Sequence, residues 1–144
     1  MPVRTLHIRV YIHATEDEDK VIRAVRNIIP ADILEEADKS IETYQGHYGN
    51  PIKVLRITIS GGRVKDALES ILGRLSPADK ASMRSSLDER VDKTGTLHIR
   101  LSKQDALQGR LILYEADDVI KVEIGFTGGR RKAIKSYEEM LGGG

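Results

Sequence analysis

The chain has no cysteine and no tryptophan, a single phenylalanine, Phe126, and only two asparagines, Asn27 and Asn50. Without cysteine there is no disulfide, no thiolate metal ligand and no cysteine nucleophile. With aromatics at 4%, the core has to be aliphatic. Few amides, no cysteine and many charges resemble a thermophile composition. No apolar run reaches the ~18–20 residues of a membrane helix. The opening "MPVRTLHIRV" lacks the apolar stretch and small-residue cleavage site of a signal peptide, so a cytoplasmic protein without membrane contact is expected. An excess of one charge is also missing: the net charge is +1. A value so close to zero does not announce nucleic-acid binding, and the placement of the charges has to decide. What is present, 144 residues at 40% hydrophobic and 31% charged, fits one globular domain with its own core.

Alternation is the strongest signal. In "TLHIRVYIH" (5–13), Leu6, Ile8, Val10 and Ile12 point one way, and His7, Arg9, Tyr11 and His13 the other. Period two predicts a strand with one buried face. "ATEDEDKVIRAVRNIIP" follows with helical spacing at Val21, Ile22, Val25, Ile28 and Ile29. Thr15 with Glu18 reads as its capping box, and Pro30 as its end. "ADILEEAD" predicts a short helical turn. Strands are predicted over 40–48 and 52–60, with Leu55, Ile57 and Ile59 on one face and Val54, Arg56 and Thr58 on the other. A helix over 63–75 and a more polar one over 77–90 come next, the second opening on Ser76-Pro77. "TLHIRL" repeats the pattern of the first strand, with Leu97, Ile99 and Leu101 against His98 and Arg100. A short helix from Ser102, strands over 111–114 and 119–124, and a basic helix between glycines complete the order β-α-β-β-α-α-β-α-β-β-α. One-sided strands with several helices imply an α+β fold: a mainly antiparallel sheet with helices packed on one face. The expected division is a domain over 1–127 and a basic helical tail over 128–144.

The face the strands leave out collects His7, Arg9, Tyr11, His13, Arg56, Thr58, His98 and Arg100. Those positions hold three arginines, three histidines and a tyrosine, and no acid. Arginine forks match phosphate oxygens, and Tyr or His rings stack on bases. Single-stranded or irregular RNA is often read from such an open sheet. A solvated polar face, or a surface that pairs with a second copy, fits the same alternation.

The remaining features are weaker. The four histidines lack HxH or HExxH spacing, so no metal or other cofactor is expected. "EDED" (16–19) sits where a first helical turn favours acid. "GGRR" (128–131) puts Arg130 and Arg131 at the start of the basic helix, a candidate phosphate contact on charge alone. "SGG" (60–62) lacks the length and lysine of a phosphate loop. No Ser/His/Asp set follows from spacing, and no enzyme is expected. "GHYGNPI" (46–52) reads as a hairpin turn, because Gly46 and Gly49 permit angles that other residues resist and Asn50-Pro51 favours a reversal. The same loop would hold His47 and Tyr48 at the rim of the polar face.

"HATEDEDKVIRAVRNIIP", "GHYGNPI" and "LHIRLSKQDALQGRLIL", in that order over roughly residues 5–125, resemble an archaeal family of RNA-binding domain proteins, or predicted exosome-associated subunits. That family is similar in fold to large-subunit ribosomal protein five. The resemblance implies non-catalytic RNA binding in ribosomal RNA processing or degradation. The alternative it leaves open is a homodimeric adaptor or scaffold in an RNA-processing complex. It carries over no catalytic residue and does not cover the tail.

Overall fold

The computed structural model describes residues 3–46 and 49–142. The elements are β1 (Val3–Ile12), α1 (Glu18–Arg26), α2 (Ala31–Glu36), β2 (Asp38–Gln45), β3 (Pro51–Ser60), α3 (Arg63–Arg74), α4 (Pro77–Ser85), α5 (Leu87–Arg90), β4 (Leu97–Leu101), α6 (Lys103–Leu107), β5 (Ile120–Phe126) and α7 (Arg130–Met140). The strands form one sheet in the order β2-β3-β1-β5-β4, and every neighbouring pair is antiparallel. The fold is α+β, as the alternation predicts. Among the described residues no helix is long and apolar enough to cross a membrane.

Leu6, Ile8, Val10 and Ile12 of the central strand are buried with Leu55, Ile57, Ile59, Leu97, Ile99, Leu101, Val122 and Ile124. The stripe Val64, Ala67, Leu68, Ile71 and Leu72 of α3 packs on them. The positions of β1 from Leu6 on, of β4 and of β5 that face this layer are aliphatic apart from Phe126, so there the period-two pattern and the burial coincide, while Lys53 of β3 and Lys39 and Thr43 of β2 break it toward the outer edge. From α7, Ala133, Tyr137 and Leu141 enter the same core, and the Tyr137 ring meets Phe126 edge-on with centroids 5.9 Å apart. Burial pushes the Tyr137 phenol well above the usual tyrosine range.

Four local expectations change, each for a physical reason. The cap of α1 is Asp17, which accepts from the Asp19 N–H, while Glu16 Oε1 accepts from the His13 N–H at 2.9 Å. Thr15 and Glu18 therefore do not form the box, and Glu18 pairs with Lys53 instead. The helix predicted over 77–90 breaks at Ser86, whose hydroxyl donates to the Ser82 and Met83 carbonyls and competes with the ladder. The strand predicted over 111–114 is reduced to a bridge between Leu101 and Leu113. There the Leu113 N–H donates to Asp79 Oδ2 of α4, so it is not available to a ladder. Val54 lies on the outer side of β3, as its parity requires, yet it is buried, because Tyr11 is its ladder partner.

The turn between β2 and β3 is closed by Gly46 N–H to Asn50 O at 2.6 Å and Gly49 N–H to Gly46 O at 3.0 Å. A Cβ on Gly46 would sit 2.5 Å from Asn50 O, and Gly49 has φ +82°, so both positions call for glycine. His47 and Tyr48 lie outside the described residues.

Candidate nucleic-acid interface

The register turns single residues into rows that cross the sheet. One row is Ser40, Arg56, Arg9, Lys121 and Arg100, each directly opposite the next. The neighbouring row is Asp38, Thr58, His7, Glu123 and His98. Tyr11 stands on the far side of the first row, between Arg9 and the end of β1. Adjacent strands lie about 4.8 Å apart, so the four cations of the first row span roughly 15 Å.

Each cation is held differently. Arg9 reaches Glu123 at 3.7 Å, and Arg56 reaches Glu42 at 3.5 Å. The Arg9 Nε is covered and has no hydrogen-bond partner among the described residues. Lys121 makes no ion pair among the described residues, and its ammonium lies 5.8 Å from the centre of the Tyr11 ring. Arg100 donates to the Ala116 carbonyl at 3.2 Å. His7, Arg9, Arg56, Thr58 and Lys121 line a shallow pit of about 120 Å³. Beside β4 a wider cleft of about 400 Å³ runs from His98 and Arg100 to Ser82 and Arg90, and Arg90 pairs with Glu115 at 2.7 Å.

His98 is anchored. Its Nε2 lies 2.9 Å from Asp92 Oδ2, and Asp92 Oδ1 accepts from the Thr94 hydroxyl and from the Thr94 and Thr96 N–H groups. The His98 contact, then the threonine donors, hold the Asp92 carboxyl well below the usual carboxylate range. His13 belongs to a different constellation at the end of β1. Its ring and the Glu16 and Asp118 carboxylates bring their ligand atoms within 4.8 Å of one another. The Lys103 ammonium already sits among them, donating to Tyr11 O, Glu16 and Asp118 at 2.7–3.2 Å. Burial raises the Asp118 pKa, but the Lys103 and His13 contacts outweigh it and the net direction is down.

Seven of the residues singled out by alternation therefore share one surface: His7, Arg9, Tyr11, Arg56, Thr58, His98 and Arg100. His13 is drawn into the Lys103 cluster. Arg130 donates to the Val91 and Asp88 carbonyls at the end of α5, and Arg131 is exposed on α7. The face is also less uniformly basic than those strands alone imply, because β2 and β5 add Asp38, Glu42 and Glu123. Lys121 was the cation not singled out. Its signal was present, since Val122 and Ile124 turn inward and leave Lys121 outward on the same strand.

Over residues 5–126 the chain matches the family described as RNA binding. An RNA-binding protein of Pyrococcus abyssi is 34% identical over 148 residues, covering 99% of this chain and 96% of that protein. A DUF54 protein of Methanothermobacter thermautotrophicus has a solved structure that superposes with a TM-score of 0.74 at 31% identity, over 98% of this chain and 99% of that one. A DUF54 protein of Sulfolobus solfataricus reaches a TM-score of 0.83 at 26% identity, over 96% of this chain and 98% of that one. A family match across the sheet and its helices, joined to a relative alike from end to end, makes this chain a member of the RNA-binding family.

Proposed function

We propose that the open sheet face binds single-stranded or irregular RNA without chemical change to it. The observation that carries this reading is the cross-strand row Arg56, Arg9, Lys121 and Arg100. Like charges on directly opposed strand positions each cost about 0.2–1 kcal/mol relative to neutral pairs. Glu42 and Glu123 offset part of that cost at Arg56 and Arg9, whereas among the described residues no carboxylate pairs with Lys121, whose ammonium has the Tyr11 ring beside it. A phosphate backbone laid along the row neutralises the remainder and releases counterions. Tyr11, at the edge of the row, offers a ring on which a base can stack. The face is broad and shallow, which suits splayed nucleotides better than the grooves of an A-form duplex.

The family membership and the named function of the Pyrococcus relative support the same reading. In the cell we place the protein in ribosomal RNA processing or RNA degradation, acting within an RNA-processing complex, on the strength of the motif resemblance. Photo-crosslinking to thiouridine-containing single-stranded RNA, followed by peptide mapping, tests the site. Crosslinks are expected on the peptides of β1, β3 and β5. Crosslinks confined to α7, or none at low salt, would show that the sheet face is not the RNA surface.

A further inference from the structure

The two edges of the sheet are finished differently. At β4, Val91 bridges Leu97, Leu113 bridges Leu101, and the Tyr114 N–H donates to Arg100 O, so the outer edge is partly closed. At β2 nothing among the described residues does this. All of Asp38–Gln45 is exposed, and Ile41 and Tyr44 are each 46% exposed. The strand carries no proline, bulge or covering helix to discourage pairing.

The hairpin fixes which backbone groups of β2 are free. The Gly46–Asn50 bond makes that pair a hydrogen-bonded one. Alternation then makes Tyr44/Ile52, Glu42/Val54, Ser40/Arg56 and Asp38/Thr58 the bonded pairs of the ladder. Pro51, which has no N–H, falls opposite Gln45 at a non-bonded position, in agreement. Lys39, Ile41 and Thr43 therefore aim their N–H and C=O groups away from β3.

We propose that β2 pairs antiparallel with β2 of a second copy of this chain, on a two-fold axis at Ile41. A two-fold normal to the sheet keeps each face on its own side, so only residues of the same parity can oppose one another. Charge and ladder length then select the register, because a centre at Thr43 or beyond runs the strand into the turn and leaves fewer residues paired. Centring on Ser40 opposes Asp38 to Glu42, centring on Glu42 opposes it to itself, and centring on Lys39 does the same to a lysine; each of these costs stability. Centring on Ile41 opposes Asp38 to Tyr44, Lys39 to Thr43 and Glu42 to Ser40. Every charged side chain then faces a hydroxyl, and Ile41 faces Ile41. The outward groups of Lys39, Ile41 and Thr43 become the new ladder. On the helix side, the second Ile41 arrives at the mouth of an apolar groove of about 320 Å³ lined by Val25, Leu34, Leu55 and Ile57. The interface leaves the basic row open, and it stands or falls separately from RNA binding.

Cysteine trapping on the full chain tests the register, because the natural chain has no cysteine to confuse it. Two residues in a hydrogen-bonded antiparallel pair have Cα atoms about 5.5 Å apart, within disulfide reach. Ile41→Cys is therefore expected to form an intermolecular disulfide under mild oxidation. Thr43→Cys is the control: two copies of it stand four residues out of register, about 13 Å apart. Sedimentation equilibrium should give a dimer for the natural chain and a monomer for Ile41→Arg, with unchanged circular dichroism because position 41 is exposed. A natural chain that stays monomeric over the whole concentration range overturns the proposal. So does crosslinking of Thr43→Cys that matches Ile41→Cys. RNA titrations of the Ile41→Arg variant report on the basic face separately.

Discussion

Lys121→Thr removes one of the two inner cations of the row while leaving a residue that suits a strand. Four cations on the row correspond to a slope of about −3 in log affinity against log salt for single-stranded RNA, at about −0.7 per contact. Between about 50 and 200 mM salt the natural protein should therefore lose affinity roughly 50-fold, and the variant with three contacts roughly 20-fold. Folding should hardly change. Relief of two like-charge neighbours, Arg9 and Arg100, is worth about 0.2–1 kcal/mol each, and loss of the contact with the Tyr11 ring costs about 0.5–1 kcal/mol. Fluorescence anisotropy with a labelled single strand, run as a salt series beside urea denaturation, reads both quantities. If affinity falls while the slope stays at its natural value, Lys121 does not touch phosphate and the row is not the binding track. If neither protein binds at about 50 mM salt, the face does not bind RNA on its own.

Two further outcomes concern the flanks of the face. Lys103→Met strips the ammonium from the Glu16 and Asp118 carboxylates and should cost about 2–3 kcal/mol at neutral pH by urea denaturation. That deficit should shrink near pH 4, where the unpaired carboxylates take up protons; an equal deficit at both pH values would argue against the charge cluster. Asp92 has its folded pKa depressed, so its contribution is complete above the ordinary carboxylate range and is lost as pH falls below it. The gap in urea midpoint between the natural protein and Asp92→Asn should therefore narrow from pH 6 to pH 2.5, and a constant gap would show that the His98 and threonine contacts do not set that pKa.

Much of this architecture was legible because period two survives in β1, β4, β5 and the part of β3 from Leu55 on, where one face is apolar and the other polar. The same parity places Arg9, Arg56 and Arg100 on one surface before any coordinates are known. Their alignment in a single row was not legible, because register depends on the pairing of distant strands and two of the partners lie on β2 and β5. The carboxylates Glu42 and Glu123 join the face for that reason. At 111–114 the composition is that of a strand, yet Asp79 takes the backbone donor, a competition that local pattern cannot register. The cap of α1 moved by two residues because Asp17 and Thr15 are both competent acceptors, and the path of the chain out of β1 chooses between them.

The central position of the N-terminal strand has a consequence during synthesis. β1 finds its first neighbour, β3, by residue 60, and α3 can cover that pair by residue 74. Its other neighbour, β5, ends at residue 126. At about 5–20 residues per second, roughly 3–10 s pass between those two points on the ribosome. Through that interval the nascent chain holds a three-stranded half-sheet with the inner edge of β1 unpaired. The edge then exposed carries "LHIRV", and the later strand "LHIRL" is close enough in pattern to compete for it. The order of emergence favours the native outcome, because β4 leaves the ribosome with β5 only about 20 residues behind, roughly 1–4 s later, and that local partner claims it.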